Sequence, residues 1–143
     1  MEFKKIHLYG SDIEDYEVLS SLIQDAAIPT SEMKFDKVEK QFFLVCSRFS
    51  WESRLQNKGN KRIVSGICFD NVIEVKKKNF PSFNSENILN FLTLKKVTGF
   101  IELIFSNNIL IKLVGNNISF RIDDLNKEWP TIFSPNHKKL DDE

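Results

Sequence analysis

The chain has 143 residues, of which 41% are hydrophobic and 28% charged, so it is globular and long enough to bury one core. Its 20 basic and 20 acidic residues cancel to a formal net charge of zero, which argues against the strongly basic class of nucleic-acid-binding proteins. Two cysteines are too few for a disulfide-dense secreted domain. We predict a single domain over residues 1–137 and a disordered charged tail over 138–143.

The N-terminal residues contain no apolar signal-peptide core, and the longest apolar stretches are far shorter than a membrane span. We therefore expect a cytoplasmic protein that does not associate with a membrane. Cys46 and Cys68 lie in apolar segments, where cysteine normally behaves as a small hydrophobic residue. Both thiols are predicted to be reduced and unreactive.

The first predicted elements are a short strand over residues 3–8 and a helix over residues 12–27. Ser11 and Glu14 have the spacing of a capping box, and Pro29 ends the helical pattern. Apolar residues at helical spacing form one predicted buried face, which consists of Val18, Leu19, Leu22, Ile23 and Ala26.

The run from Gln41 to Glu52 is the most distinctive segment of the chain. It is apolar at odd and even positions over residues 42–46 and then alternates between polar and aromatic residues. This pattern predicts a strand that is covered on both faces at its first end and open on one face at its second end. Arg48, Trp51 and Glu52 fall at the open end.

Two interpretations of this end remain. In the first, Arg48, Trp51 and Glu52 bind a ligand together with Asp25, since a guanidinium suits an anion and an aromatic ring forms a pocket wall. Asp25 ends the predicted helix against the macrodipole, which indicates a basic partner such as Arg48 or Arg62. In the second interpretation, which we favour, the same residues form structural salt bridges at the sheet edge.

The middle of the chain predicts further strands. Residues 62–75 read as two strands separated by a bend at Asp70 and Asn71. Residues 85–98 fit either a short helix or a strand, and the pattern does not choose between them.

The last third predicts a hairpin whose turn is Asn107–Asn108, followed by a second turn at residues 115–117 and another strand. Asp123 or Asp124 is positioned to cap a last helical turn that carries Leu125 and Trp129.

Together these elements predict an α+β fold. We expect a curved, mainly antiparallel sheet of six to eight strands with an N-terminal helix and a short C-terminal helix. A partly closed, pleckstrin-homology-like barrel is the specific architecture that we expect.

The sequence contains no recognisable catalytic motif. No serine lies between spaced glycines, and the five glycines are too far apart for a phosphate-binding or dinucleotide-binding loop. His7 and His137 lie at opposite ends of the chain, and neither has metal-ligand spacing to a cysteine. We therefore predict no catalytic residue, no metal site and no cofactor, and we favour a protein that is not an enzyme.

Several short motifs resemble those of one family and span most of the chain. These motifs are Glu14-Asp15-Tyr16, Ser20, Gln24-Asp25-Ala26, Arg48-Phe49-Ser50-Trp51-Glu52, Arg62, Phe69-Asp70-Asn71-Val72, Ile101-Glu102-Leu103-Ile104-Phe105, Ile111-Lys112-Leu113, Leu125, Trp129, Pro135 and His137. They are similar to those of the domain-of-unknown-function family numbered 2948, small single-domain proteins of alphaproteobacteria. The resemblance implies no activity, although genes of the family often neighbour a histidinol dehydrogenase gene. Asn116 and Ser119 stand where the family commonly has acidic residues, so an acidic site there is not expected.

Three functions follow as hypotheses. The first is a non-catalytic protein-binding or adaptor module, monomeric or weakly dimeric, which an open sheet edge or an exposed apolar patch would favour. The second is a small-molecule binder or enzyme for an anionic ligand using Arg48, Glu52 and Asp25, which a pocket at Arg48 would favour. The third is a weak nucleic-acid binder through Lys76–Lys78 and Lys95–Lys96, which a contiguous basic face would favour.

Overall fold

The structure is a computed structural model that describes residues 5–50, 62–81 and 87–125. Over these ranges the chain forms ten β-strands and one α-helix, and every strand pairing is antiparallel. The broad α+β class with a mainly antiparallel sheet is confirmed. The predicted number of six to eight strands is too low, because short pairing segments such as three-residue strands leave no clear periodicity in the sequence.

The elements follow one another along the chain without long helices. In order they are β1 (His7–Gly10), α1 (Ile13–Leu22), β2 (Ala27–Pro29), a 3₁₀ turn (Thr30–Glu32), β3 (Lys34–Asp36), β4 (Gln41–Phe49), β5 (Arg62–Asp70), β6 (Glu74–Lys78), β7 (Ile88–Val97), β8 (Phe100–Phe105), β9 (Leu110–Val114) and β10 (Ser119–Asp124). The ambiguity over residues 85–98 is thus resolved as a strand for the part that β7 covers.

The sheet consists of two halves joined by the short strand β2. Its strand order is β1-β10-β5-β4-β2-β7-β8-β9-β6, and β3 pairs separately with β4. We refer to β1, β10, β5, β4 and β3 as the β4–β5 half and to β7, β8, β9 and β6 as the β8–β9 half. The sheet is not closed in the described ranges, since β1 and β6 at its two ends each pair on one side only.

One hydrophobic core lies between the two halves. Alternate residues of β4, β5 and β10 pack in the same cluster as alternate residues of β7, β8 and β9, together with one face of α1. Because both halves contribute to one cluster, the sheet bends around it. The fully buried rings include Phe42, Phe69, Phe91, Phe105 and Phe120.

The helix begins one residue later than the predicted capping box implies. Asp12, and not Ser11, is the N-cap: its carboxylate accepts from the Asp15 amide at 2.9 Å, and the Asp15 carboxylate accepts from the Asp12 amide at 3.2 Å. The buried side of this segment carries Tyr16, Leu19 and Ile23. Val18, which was predicted on the buried face, is exposed.

The predicted burial of β4 is the reverse of the observed burial. Phe43 and Val45 in the apolar run are only half-buried, whereas Ser47 and Arg48 at the polar end are fully buried although they lie on opposite faces. The end of β4 that was predicted to be open on one face is therefore covered on both faces.

The predicted helix cap at Asp123 or Asp124 is also wrong, because both residues belong to β10. Trp129, which the predicted C-terminal helix includes, lies outside the described residues, as do Trp51, Glu52 and the tail. In the described ranges no helix is long and apolar enough to cross a membrane, α1 having 10 residues.

Candidate functional site

Arg48 forms a buried ion pair with Asp124. Its Nη2 lies 2.9 Å from Asp124 Oδ2, its Nε lies 3.2 Å from Asp124 Oδ1, and both side chains are 0% exposed. This two-point contact is the geometry in which arginine binds a carboxylate most strongly.

The strand register explains why these side chains meet. Asp124 of β10 pairs with Ser65 of β5, which in turn pairs with Cys46 of β4, and Arg48 follows two residues later on the same face. That face is the core face, because Leu44, Cys46 and Ile67 along it are buried. The ion pair therefore closes one end of the hydrophobic core.

Further hydrogen bonds satisfy the pair. The Ser65 hydroxyl donates to Asp124 Oδ1 at 2.6 Å and accepts from Arg48 Nε at 3.2 Å. The Ile6 amide donates to Asp124 Oδ2 at 2.8 Å, and Arg48 Nη1 donates to the Phe49 carbonyl at 3.2 Å. Such a network joins β4, β5, β10 and Ile6, the residue before β1. A buried ion pair whose hydrogen bonds are all made is chemically suited to fixing structure.

A second arginine binds the outer side of the same strand end. Arg62 Nη1 donates to the Ser47 carbonyl at 2.7 Å, and its guanidinium lies 4.2 Å from the centre of the Phe49 ring. Arg62 thus shields the backbone of β4 next to the ion pair, and its predicted partner, Asp25, is not part of these contacts.

The four predicted ligand residues do not all lie in the described ranges. Arg48 is buried, and Asp124 stands where Asp25 was expected as its carboxylate partner. Asp25 is exposed at the turn between α1 and β2, with φ 64°, and its amide donates to the Phe91 carbonyl at 2.9 Å. Aspartate tolerates this left-handed conformation, which accounts for its position after the helix. Trp51 and Glu52 lie outside the described residues.

Asp124 and Ser65 were not predicted from the sequence as members of this network. A signal was present: Phe120 and Ile122 alternate on one strand face, and Asp124 continues that alternation. A carboxylate at a core-facing strand position indicates a buried basic partner. Treating Asp124 as a helix cap hid this signal.

The two cysteines are free and buried. Burial raises the pKa of the Cys46 thiol to about 12, although the Arg48 charge acts in the opposite direction. Burial also raises the pKa of Cys68, whose sulfur accepts from Arg121 Nη2 at 3.2 Å. The two thiols are thus free and buried with raised pKa values, and their low reactivity stays a prediction. In the described ranges no three His, Cys, Asp or Glu side chains are grouped as a metal site would require.

A shallow groove lies between α1 and β7, with a volume of about 390 Å³. The Ser20 and Thr93 hydroxyls are 3.3 Å apart in it, and Lys96 lies over the Tyr16 ring. These polar groups largely contact one another, so the groove has no convergent set of groups directed at a ligand.

The outer face of the β8–β9 half is the second notable surface. Buried residues alternate along β8 and β9 with half-buried ones that point away from the core. The register aligns the outward residues in rows, Phe100 beside Val114 and Ile104 beside Leu110. We call this surface the outer face; its residues are Glu74, Lys76, Lys78, Lys95, Val97, Phe100, Glu102, Ile104, Leu110, Lys112 and Val114.

A charged row crosses the middle of the outer face. Lys76 pairs with Lys112, Lys112 with Glu102, and Glu102 with Lys95. Lys76, Lys78 and Lys95 of the two predicted basic segments therefore share this surface, whereas Lys77 and Lys96 lie on the opposite side of their strands, and Glu102 separates Lys95 from the other lysines. Lys112 Nζ also lies 4.2 Å from the centre of the Phe100 ring.

The chain matches one family model, described as a protein of unknown function (DUF2948), over residues 6–137. This chain belongs to that family. Because the match covers nearly the whole chain, the family resemblance seen in the sequence motifs is confirmed. Comparison with curated proteins and with solved structures gave no match.

Proposed function

We propose that this domain is a non-catalytic protein-binding or adaptor module that binds its partner through the outer face. The observation that supports this most directly is the apolar content of that face. Phe100 and Val114 form one half-buried cross-strand pair that points away from the core, and Ile104 and Leu110 form another, with Glu102 and Lys112 between them. Apolar residues that share a sheet face with charged ones are typical of a protein interaction site.

The burial of Arg48 supports a non-catalytic module over the small-molecule alternative. A ligand-binding or catalytic role for Arg48, Glu52 and Asp25 requires the guanidinium to reach the ligand, yet that side chain is 0% exposed and paired with Asp124. In our proposal the Arg48–Asp124 pair supports the fold and the outer face performs the function.

The arrangement of the lysines gives less support to nucleic-acid binding. Lys76, Lys78 and Lys112 are grouped, but Glu102 and Glu74 lie on the same face. Phosphate binding favours a continuous basic surface, which these carboxylates interrupt.

The finer architecture and the compartment are also proposals. A partly closed, pleckstrin-homology-like barrel is supported by two sheet halves around one core. A cytoplasmic location is supported by two free, buried thiols.

The test compares what the full-length protein captures from a lysate of its native host. Wild type, Ile104→Asp on the outer face and Val38→Asp on the β3–β4 turn are used as baits, and Val38 is a suitable control because it is 85% exposed. We expect wild type and Val38→Asp to retain the same proteins and Ile104→Asp to lose them, with all three baits folded by circular dichroism. Equal capture by all three baits, or none above background, would contradict the proposal.

A further inference from the structure

The open edge of β6 borders the outer face. In the described part of the chain β6 pairs only with β9, and it carries three consecutive lysines, Lys76–Lys78, all of which are exposed. Lysines on an edge strand can simply protect against aggregation. Two further observations on this edge indicate a ligand of particular chemistry.

The first observation concerns the backbone. The Phe105 amide donates to the Ile109 carbonyl at 2.9 Å, and the Gly115 amide donates to the Gly99 carbonyl at 3.0 Å. Along a strand in an antiparallel sheet, the backbone N–H and C=O groups of successive residues point alternately to the two neighbouring strands. The two bonds therefore show that these groups point towards β8 in the odd-numbered residues of β9 and towards β6 in the even-numbered ones.

It follows that Glu74, Lys76 and Lys78 form the hydrogen-bonded pairs with β9. The amides and carbonyls of Val75 and Lys77 then point to the open side, where no described residue pairs with them. They provide two donors and two acceptors at the spacing that an added strand requires.

The second observation concerns charge. Lys76 lies directly opposite Lys112, and like charges at such a position are unfavourable. Lys112 is partly compensated by Glu102 on its other side, whereas Lys112 is the only cross-strand neighbour of Lys76 among the described residues. An acidic side chain on an added strand next to Lys76 would relieve this repulsion.

We propose that β6 binds an extended acidic segment of a protein partner by strand addition. The segment hydrogen-bonds to the backbone of Val75 and Lys77, places carboxylates beside Lys76 and Lys78 on the outer face, and places an apolar residue beside Val75. Val75 is half-buried and packs on the core cluster, so it provides an apolar contact on the opposite side. This inference rests on the proposed protein-binding function and specifies the partner.

The test uses a blocked nine-residue peptide of alternating Glu and Val, titrated into the ¹⁵N-labelled full-length protein. We expect saturable shifts that are largest for the amides of Val75 and Lys77 and that weaken with salt. A control peptide of alternating Glu and Pro has the same charge but lacks the backbone N–H donor at every proline. A second control peptide, of alternating Lys and Val, has the opposite charge. Neither control peptide should bind.

Three variants of the protein sharpen the test. Lys77→Pro removes an outward donor that the β6–β9 pairing does not use, and it should lower affinity at least tenfold while the protein stays folded. Lys76→Glu should lower affinity by a similar factor and yet raise the Tm, because it places a carboxylate opposite Lys112. Lys34→Glu on β3, a matched exposed lysine, should leave affinity unchanged.

Other outcomes overturn the inference. Equal binding of the Glu–Pro peptide would show that charge alone acts. Tighter binding of a ten-nucleotide oligothymidylate at the same lysines would show a nucleic-acid site, and self-association lost in Lys77→Pro would show that a second copy occupies the edge. If the lysate partners are lost in Ile104→Asp but retained in Lys77→Pro, strand addition is wrong and the proposed function stands.

Discussion

At the scale of single residues, the Arg48–Asp124 pair has the largest expected effect on stability. Arg48→Ala should reduce the free energy of unfolding by about 3–5 kcal/mol, because it leaves the Asp124 carboxylate buried without its partner. Chemical denaturation measures this change. Arg48→Lys should not restore full stability, since an ammonium cannot reproduce the two-point contact.

A double-mutant cycle of Arg48→Ala with Asp124→Ala should give a large coupling energy. Asp25→Asn is the matched control: Asp25 is exposed and asparagine tolerates its left-handed conformation, so this change should alter stability by less than about 0.5 kcal/mol. A loss below about 1 kcal/mol for Arg48→Ala would mean that the pair behaves as an exposed one.

The buried Cys46 thiol makes stability depend on alkaline pH. Its folded pKa of about 12 lies above the unfolded value of roughly 8.5. Above pH 8.5 the unfolded chain therefore binds fewer protons than the folded one, and stability falls as pH rises towards the folded pKa. Burial also raises the pKa of Tyr16, which acts in the same direction.

Denaturation curves between pH 7 and pH 11 should show this decline, and Cys46→Ala should make it shallower. Both thiols should react slowly with an alkylating agent in the folded protein and rapidly in denaturant. Fast labelling of the native protein, or a slope that Cys46→Ala leaves unchanged, would contradict the burial of this thiol.

At the scale of elements, substitutions along α1 should follow its observed orientation. Leu19→Ala should cost about 2–5 kcal/mol because Leu19 is fully buried. Leu22→Ala should cost less, about 1–2 kcal/mol, since Leu22 is half-buried against the core. Val18→Ala should change stability by less than about 0.5 kcal/mol.

Urea denaturation of the three variants ranks them by the free energy of unfolding that each substitution removes. If Val18→Ala were as costly as Leu19→Ala, the helix would have the orientation that the sequence predicted, with Val18 buried.

The turns are the elements that local sequence predicted best. Asn107 and Asn108 both have positive φ and connect β8 to β9, as the asparagine pair predicted. Asn71 and Asn117 also adopt positive φ at the bend after β5 and at the turn before β10. Asparagine tolerates this conformation through its own chemistry, so these turns are largely independent of distant contacts.

At the scale of the whole molecule, Gly115 marks where the two halves meet. A Cβ at this position would lie 2.1 Å from the Asn71 carbonyl oxygen, next to the chain that passes from β5 to β6. The Ile73 amide donates to the Val114 carbonyl beside it at 2.8 Å. Any side chain at Gly115 must therefore separate the crossing segments.

Gly115→Ala should destabilise the protein by about 1–3 kcal/mol through this overpacking. Gly66→Ala is the control, because a Cβ there meets only Leu125 at an ordinary 3.8 Å. Thermal denaturation should show a clearly lower Tm for Gly115→Ala alone. Equal Tm values would mean that the backbone at this crossing is not closely packed.

The sequence by itself determined the α+β class, the positions of most turns and the burial of both cysteines. Alternation and turn chemistry depend on neighbours within a few residues, so a local reading finds them. Only the tertiary structure decided the partner of Arg48, which is 76 residues away along the chain. It also decided that β4 is covered at its polar end and that β6, among the described strands, pairs on one side only. Each depends on strand register between distant segments, which no local pattern specifies.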